Sequence, residues 1–310
     1  MKKLIIILSF LCLQKVAAQT TEIQEVEKLV TSYVSPLSHA LGAGLNNAWW
    51  TTAKPHKKLG FDISLSITPI IIPDADKSFN IGNEGSFTGG KTATIFGGIN
   101  DGGAVNYANS TIPMPNGVGI GFVATPMLQA GIGLPLKTEI DFRYSPEFKT
   151  KHFNLGLTGV GIKHDLLQWI PVLNKLPIDL SVMAGHTRLN TGFDIQDQGI
   201  DLNVKATTIN LLLSKKVALL TAYVGFGYNQ TSSNIAITLD EQNTSFLNSI
   251  NDLANINLSE LTTIEFENHT DLKANIGARL QLTLLNINAS YTVTQSGYKL
   301  YTAGVGVSLR

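Results

Sequence analysis

Seven charged residues alternate with apolar residues in several segments of the chain. They are the side chains best placed to form ion pairs or to contact a solute. They are Asp62, Glu139, Asp141, Arg143, Asp179, Lys273 and Arg279. Successive side chains of a strand point to opposite faces, so each of these residues lies on a polar face opposite an apolar one. Both signs of charge are present. The polar faces could therefore form a network of salt bridges or line a polar path for a solute, and the sequence leaves both alternatives open.

No motif of a metal centre or a catalytic nucleophile accompanies these charges. The six histidines are His39, His56, His152, His164, His186 and His269. None has the close spacing of a metal-binding motif such as HExxH, and the serine motif GxSxG is missing. We therefore expect no enzymatic activity, no cofactor and no metal. A histidine site that only the fold assembles stays open as an alternative.

Two acidic groups resemble a calcium-binding loop only loosely. The first is Asp74, Asp76, Ser78 and Asn80, and the second is Asp194, Asp197 and Asp201. In the first group Phe79 and Gly85 stand where the loop pattern requires glycine and glutamate. We interpret both groups as solvated loops, with calcium binding as the alternative.

The elements that must position the charged residues are strands, and the clearest is Asp271–Leu284. Its even positions are all apolar and its odd positions are all polar or glycine. A tilted strand needs about 9–11 residues to cross a bilayer, and this segment is longer. It predicts one strand of a transmembrane barrel, with the apolar face towards lipid.

Similar alternation starts at Phe61 and recurs to the end of the chain, which gives about ten strands. A hairpin hidden between Asp74 and Gly117 would raise the number to about twelve, and about fourteen is the upper bound. His152–His164 changes phase, which predicts a bulge near Gly159. The stretches 188–202 and 231–268 are polar and predicted to be loops, the second with a short helix at 245–254.

We therefore predict that residues 60–310 form an all-β fold, a transmembrane antiparallel β-barrel. The barrel must be closed because lipid offers no hydrogen-bond partner to an open sheet edge. Short turns alternate with long loops, as in bacterial up-and-down barrels, so both ends of the barrel are expected on the periplasmic side.

The N-terminal region predicts a secretion signal followed by a helical hatch. Residues 1–18 read as a signal peptide because two lysines precede an apolar core and small residues precede the cut. Residues 19–59 predict two short helices followed by Trp49 and Trp50. These indoles could anchor the chain at the membrane interface or belong to a hatch that enters the barrel from the periplasmic side. Trp169 predicts a further interfacial contact.

Composition excludes several classes of protein. The 23 basic and 23 acidic residues balance, so nucleic acid is not an expected partner. The only cysteine is Cys12, inside the predicted signal peptide, so the mature chain should have no disulfide and no thiolate. Hydrophobic residues make up 44% of the chain. No mature segment has the roughly 18 consecutive apolar residues of a helical span.

Three stretches resemble a family of uncharacterised outer-membrane barrel proteins of Gram-negative bacteria. They are Gly42–Ser64, Met114–Pro135 and Gly161–Thr187. A looser likeness is to long-chain fatty-acid transporters, which combine an N-terminal hatch with a barrel. The family resemblance implies an outer-membrane location but no particular activity. One departure is that the chain ends in Ser308-Leu309-Arg310, where outer-membrane barrels commonly end in an aromatic residue.

These observations predict a channel or transporter for a small, hydrophobic molecule in the outer membrane. The alternative is a barrel that transports nothing and serves as a surface scaffold or adhesion platform. A third hypothesis is an outer-membrane hydrolase whose site is assembled from several strands. Expected partners are outer-membrane lipid, the barrel assembly machinery and a small hydrophobic ligand.

Overall fold

The computed structural model of the chain describes residues 2–84, 86–107, 110–149, 153–170, 176–195, 198–238 and 263–309. A long helix, α1 (Lys2–Leu45), precedes all strands. The first five strands are β1 (Phe61–Ile71), β2 (Ser78–Glu84), β3 (Phe87–Ala93), β4 (Ala104–Tyr107) and β5 (Ser110–Pro113). The others are β6 (Phe122–Leu134), β7 (Thr138–Lys149), β8 (Phe153–Asp165), β9 (Asp179–Ile195), β10 (Gln198–Val217), β11 (Leu220–Thr238), β12 (Thr263–Leu282), β13 (Leu285–Thr294) and β14 (Lys299–Leu309). Within the described ranges, two single-turn 3-10 helices span Asp74–Lys77 and Leu167–Trp169.

Ten of the described strands close into an antiparallel barrel, which confirms the predicted fold class and the predicted strand number. β1 pairs with β14 on one side and with β6 on the other, so the barrel has no open edge. From β6 to β14 each strand pairs with the next one along the chain. Closure gives every strand two neighbours and leaves no row of unpaired backbone groups facing lipid.

The exterior of the barrel is apolar. In β12 the side chains of Leu272, Ile276 and Leu280 are exposed, while Asp271, Lys273 and Arg279 are buried in the interior. β14 repeats the pattern, with exposed Val305 and Val307. An exposed apolar band around a closed sheet is the surface that a lipid bilayer covers. Among the described residues, no helix is both long enough and apolar enough to span a membrane.

The two ends of the barrel differ, and we name them by their connections. At the turn end, tight turns join β6 to β7, β10 to β11 and β12 to β13. β1 starts and β14 finishes at this end, because Phe61 pairs with Leu309. At the loop end lie the connection 72–121 between β1 and β6 and the connection between β11 and β12.

The predicted loops at 188–202 and 231–268 were wrong in part. Residues 188–195 belong to β9, 198–202 to β10, 231–238 to β11 and 263–268 to β12. These strands continue towards the loop end, beyond the apolar alternation, so their outward side chains are polar although the backbone pairing goes on. The helix predicted at 245–254 lies outside the described residues.

The hidden hairpin does exist, but it does not enlarge the barrel. Residues 78–113 form a separate antiparallel sheet with the strand order β2-β3-β4-β5. Its buried residues Ile81, Phe87, Val105 and Ile112 share one core with α1 and with Ile264 of β12. The expectation that such a hairpin would add barrel strands was therefore wrong, because these short strands pair among themselves and bury their apolar side chains against the helix.

The register of β7 and β8 shifts between Ser145 and Phe148, which pair with Leu157 and Leu155, so an irregularity lies two residues from Gly159, with its extra residue on β7. Gly159 itself pairs in regular register with Arg143 and with Thr187. The apolar residues Leu155 and Leu157 face the interior, where they pack in a hydrophobic cluster. The apparent change of phase arises because the apolar residues of this strand face inward at its loop end, at Leu155 and Leu157, and outward nearer its turn end, at Val160 and Ile162.

The N-terminal region forms one helix where we predicted two. α1 continues from Lys2 to Leu45, with Pro36 inside it. A proline in a helix removes one backbone hydrogen bond, and the interior packing described below holds the helix across that point. The helix includes the segment predicted as a signal peptide, whose cleavage stays a prediction.

Candidate functional site: the plugged interior

The helix α1 passes through the inside of the barrel. Its residues Leu37, Leu41 and Leu45 pack against apolar side chains that line the interior. These wall residues come from several strands: Met127, Leu155, Leu157, Leu189, Leu202, Val204, Ala206, Ile235 and Phe266. We call residues 24–58 the plug, residues 24–45 its helical part and residues 46–58 its tryptophan segment.

The tryptophan segment fits into hollows that glycines leave in the wall. Trp49 and Trp50 are both buried. A Cβ atom added to Gly161 would lie 2.8 Å from Trp49 Cζ3, and one added to Gly185 would lie 2.6 Å from Trp49 Cε2. A Cβ atom added to Gly225 would lie 2.9 Å from Trp50 Cζ2. The indoles therefore belong to the hatch within the barrel, and the interpretation of Trp49 and Trp50 as interfacial anchors was wrong.

Two buried cations hold the backbone of the plug. Arg143 donates from Nη1 to the carbonyl of Leu45 at 2.7 Å and from Nη2 to the carbonyl of Asn47 at 2.7 Å. Its guanidinium carbon lies 3.7 Å from the centroid of a Trp49 ring. Lys273 donates to the carbonyl of Asn46 at 2.5 Å. A buried charge is tolerated when it is fully hydrogen-bonded, and here the bonds fix the plug in register with the wall.

A second group of charges lies where the end of the plug meets the wall. Lys163 Nζ is 2.6 Å from Glu139 Oε1, and the backbone N–H of His56 donates to Glu139 Oε2 at 2.6 Å. His56 Nε2 is 3.0 Å from Asp62 Oδ1. Asp141 lies on the same strand as Glu139 and accepts a hydrogen bond from Gln129 at 3.3 Å. These contacts join the tryptophan segment to β1, β6, β7 and β8.

The remaining predicted lumen residues lie on the inner wall as well. Arg279 donates to Thr51 Oγ1 at 2.9 Å and to Ser308 Oγ at 2.8 Å. Asp179 is partly buried near the turn end, 3.9 Å from the amine of Lys54. Of the seven charged residues from the sequence, Asp62, Glu139 and Asp141 cluster together. Arg143, Lys273 and Arg279 instead contact the plug at separate points.

Sequence reasoning missed three members of this arrangement. Lys163 follows the stretch of β8 where the apolar pattern changed face, so it was not assigned to the interior. Gln129 is neutral and was not considered beside the charges, although it accepts a hydrogen bond from Arg143 Nε at 3.0 Å. His56 was noted only as one of six scattered histidines. The signal that could have found it is its position next to the predicted hatch.

Trp169 lies on the outside of the molecule. Its side chain is exposed, at the turn end, and its indole N–H donates to His164 Nε2 at 2.9 Å. This placement is consistent with the predicted contact at the membrane interface.

A cavity opens at the turn end beneath the plug. Its volume is about 650 Å³, and its lining includes five lysines. They are Lys54, Lys57, Lys58, Lys137 and Lys216. Two aspartates in the lining, Asp165 and Asp179, form ion pairs with Lys137 at 3.3 Å and with Lys54 at 3.9 Å. The mouth of the barrel at this end therefore carries a net positive charge, and apolar residues such as Leu134, Leu136 and Ile178 line it as well.

The small sheet β2–β5 packs on the plug at the loop end. Val26 and Leu29 of α1 join the core of the sheet. Tyr33 links the helix to the connection 72–121, because its hydroxyl donates to the carbonyl of Asn116 at 2.7 Å and its carbonyl accepts from Ile95 at 2.9 Å. The helical part of the plug and the small sheet therefore form one packed unit.

The acidic residues of the first calcium candidate make other contacts. Asp74 bonds to Lys77 at 2.6 Å, which lowers the pKa of the Asp74 carboxyl. Asp76 accepts a hydrogen bond from the Tyr298 hydroxyl, and burial together with this carboxylate raises the pKa of Tyr298. The two carboxyl groups thus serve as partners for protein side chains. The second candidate includes Asp197, which lies outside the described residues.

Residues 1–309 match the protein family described as "Family of unknown function (DUF6588)". The chain belongs to this family. The match spans the helix and the whole barrel, so the plug and the barrel are part of the same family unit. No curated protein matches the chain.

The solved structures that match the chain include outer-membrane proteins. The attachment invasion locus protein Ail of Yersinia pestis has 9% identity and a TM-score of 0.31, with 81% of this chain and 97% of that chain covered. The translocator domain of the autotransporter NalP from Neisseria meningitidis has 13% identity and a TM-score of 0.32, with 90% and 99% covered. The outer membrane protease OmpT from Escherichia coli has 13% identity and a TM-score of 0.31, with 85% and 100% covered.

Proposed function

We propose that the protein is a closed outer-membrane barrel that works as a surface scaffold and presents its loop-end sheet to a partner outside the cell. Long loops of outer-membrane barrels face the outside, and short turns face the periplasm. In this orientation the plug runs from the outside to the periplasmic mouth. The sheet β2–β5 then stands at the outer mouth.

The observation that carries this proposal is the way in which the plug is held. Its helical part packs on apolar wall residues, and its tryptophan segment is bonded through Arg143 and Lys273. To open a path, the barrel would have to separate the apolar cluster from the helix and leave both buried cations without their carbonyl partners. Leaving one buried charged group unpaired costs about 3–5 kcal/mol, so a plug held in this way favours a closed resting state.

The loop-end sheet supplies the surface for the scaffold. β2 and β5 are the two edge strands of the sheet, and an edge strand offers unpaired N–H and C=O groups to another chain. A groove of about 510 Å³ lies between α1 and β2, lined by residues of both. A sheet that is anchored on a rigid plug keeps such an edge in a fixed position for a partner.

Conductance and adhesion measurements test the proposal together. Purified protein in a planar bilayer should give negligible steady conductance, and a variant that lacks residues 24–58 should conduct. Cells that carry the protein should lose surface adhesion when residues 78–113 are replaced by a short Gly-Ser linker. The matched control replaces residues 166–178 at the turn end. A steady conductance of the unaltered protein, or adhesion that persists without the sheet, would contradict the scaffold.

The second candidate function is transport of a small, hydrophobic molecule, with the plug as a gate. The cavity at the turn end favours it, because this space lies directly beneath the tryptophan segment. A transporter should speed the uptake of a fluorescent hydrophobic probe by intact cells that carry the protein, without removal of the plug. Probe uptake with the unaltered protein therefore separates the two functions, since the scaffold predicts no increase over cells that lack the protein.

A further inference from the structure

Four ligand groups converge where the plug meets the barrel wall. They are the imidazole of His56 and the carboxylates of Asp62, Glu139 and Asp141. One ligand atom each from His56, Asp62 and Glu139 can be chosen so that all three lie within 4.8 Å of one another. His56 Nε2 is 3.0 Å from Asp62 Oδ1 and 4.0 Å from Glu139 Oε2. Ligand atoms around one zinc ion lie roughly 3–4 Å apart, given metal–ligand bonds of about 2.0–2.2 Å.

A glycine in the wall leaves room between the carboxylates. Asp62, Gly131 and Asp141 lie side by side on β1, β6 and β7. A Cβ atom added to Gly131 would lie 2.5 Å from Asp62 Oδ1 and 2.7 Å from Asp141 Oδ1. Both aspartates therefore border the same small space. Any larger residue at position 131 would fill it.

Two polar atoms of the cluster side chains are buried without a hydrogen-bond partner among the described residues. They are Asp141 Oδ2 and His56 Nδ1. The Asp141 side chain is only 1% exposed, and its other oxygen borders the space at Gly131. An unpaired buried carboxylate oxygen is costly, because it has lost the water that would solvate it. A cation beside it would remove that cost.

The basic groups nearby leave Asp141 Oδ2 without a hydrogen-bond partner in the described part of the chain. Lys163 binds Glu139 through Oε1, which leaves Oε2 on the side of His56. Arg143 directs its guanidinium to the carbonyls of the plug and to Gln129.

We propose that His56, Asp62, Glu139 and Asp141 form a binding site for one divalent transition-metal ion. One imidazole nitrogen with carboxylate oxygens and no sulfur suits Zn²⁺, and Mn²⁺ less tightly by the usual order of affinities. The bound ion would join His56 of the plug to β1 and β7 of the wall. It would therefore clasp the end of the plug in the barrel. This site is independent of the proposed scaffold, because it depends on the plug geometry and not on a surface partner.

Calorimetry with zinc chloride tests the site on full-length protein in detergent, after removal of metal with a chelator. We expect one zinc ion per chain. His56→Gln should weaken binding more than about tenfold, because a ligand is lost. The matched control is His186→Gln, at an outward-facing position of β9 far from the cluster, and it should bind like the unaltered protein. No binding by the unaltered protein, or equal binding by His56→Gln, would overturn the proposal.

Two further measurements keep the test decisive if His56→Gln does not fold. Asp141→Asn keeps the shape of the side chain and should also weaken zinc binding. Zinc X-ray absorption of the unaltered protein should give one nitrogen ligand with oxygen ligands and no sulfur. A spectrum with several histidine ligands, or Asp141→Asn binding as tightly as the unaltered protein, would refute the assigned site.

Discussion

The two parts of the plug are held by different forces. The helical part, residues 24–45, contacts the wall through apolar side chains such as Leu41 and Leu45. The tryptophan segment, residues 46–58, is held by Arg143, Lys273 and the carboxylate cluster. Apolar packing is non-directional and scales with the area that is buried, whereas buried hydrogen bonds to charges demand one geometry. Apolar packing of the helical part thus stabilises the plug inside the barrel, and the hydrogen bonds of the tryptophan segment fix its position along the wall.

Removal of Arg143 should give the largest loss of stability. Arg143→Ala leaves the carbonyls of Leu45 and Asn47 buried without their charged donor, and it removes the cation over Trp49. We expect the free energy of unfolding to fall by about 3–5 kcal/mol, because each buried carbonyl left unpaired costs about 1–3 kcal/mol and the indole loses its cation. Urea unfolding followed by tryptophan fluorescence measures this change. Arg188→Ala, at an exposed position, is the control and should change stability by no more than about 0.5 kcal/mol. Equal effects at both positions would show that register does not depend on Arg143.

Removal of an apolar wall residue should have the second largest effect. Leu202 is buried in the cluster around the helix, and Leu202→Ala leaves a cavity there. We expect a loss of about 2–4 kcal/mol in the same urea experiment. The control is Leu211→Ala on the same strand, where the side chain faces outward and detergent can refill the space. If Leu211→Ala costs as much as Leu202→Ala, packing on the helix is not what holds this part of the plug.

A methyl group in a tryptophan hollow should have the smallest effect of the three. In Gly161→Ala the new Cβ lies 2.8 Å from Trp49 Cζ3, so the indole must shift. Overpacking of this kind costs about 1–3 kcal/mol and should alter the tryptophan emission. Gly156→Ala is the matched control, because its nearest neighbours lie 3.8 Å from the new atom. An unchanged emission spectrum in Gly161→Ala would mean that the hollow is looser than its geometry implies.

The same contrast explains what the sequence could predict. Lipid imposes one rule on every outward residue, so the alternation in segments such as Asp271–Leu284 was enough to predict a barrel of about ten strands. Inner-wall residues must match the part of the plug that they face. Those opposite the helical part are apolar, and those opposite the tryptophan segment include charged residues that bond to its backbone carbonyls. Leu155 and Leu157 therefore looked like a break in phase, although they are inner-wall residues opposite a helix.

The site was predictable only in part, for a related reason. Inward charges such as Glu139 and Arg143 could be predicted because they alternate with apolar residues along a strand. His56 lies in an irregular segment without period, and its neighbours Asp62 and Glu139 are brought to it by barrel closure. Contacts between distant parts of the chain of this kind leave no local pattern. The separate sheet formed by Ser78–Pro113 was not predicted for the same reason. Short strands have the same sequence pattern whether they join a barrel or pair among themselves.

One consequence of the threaded plug concerns the order of assembly. The plug ends just before β1, and β1 is also the strand that meets β14 to complete the circle. The wall that contacts the plug is built from strands far apart in the chain, among them β6, β7 and β12, so these contacts form only when those strands have come together around the plug. Docking of the plug and closure of the barrel are therefore coupled through β1, which directly follows the plug and also pairs with the last strand.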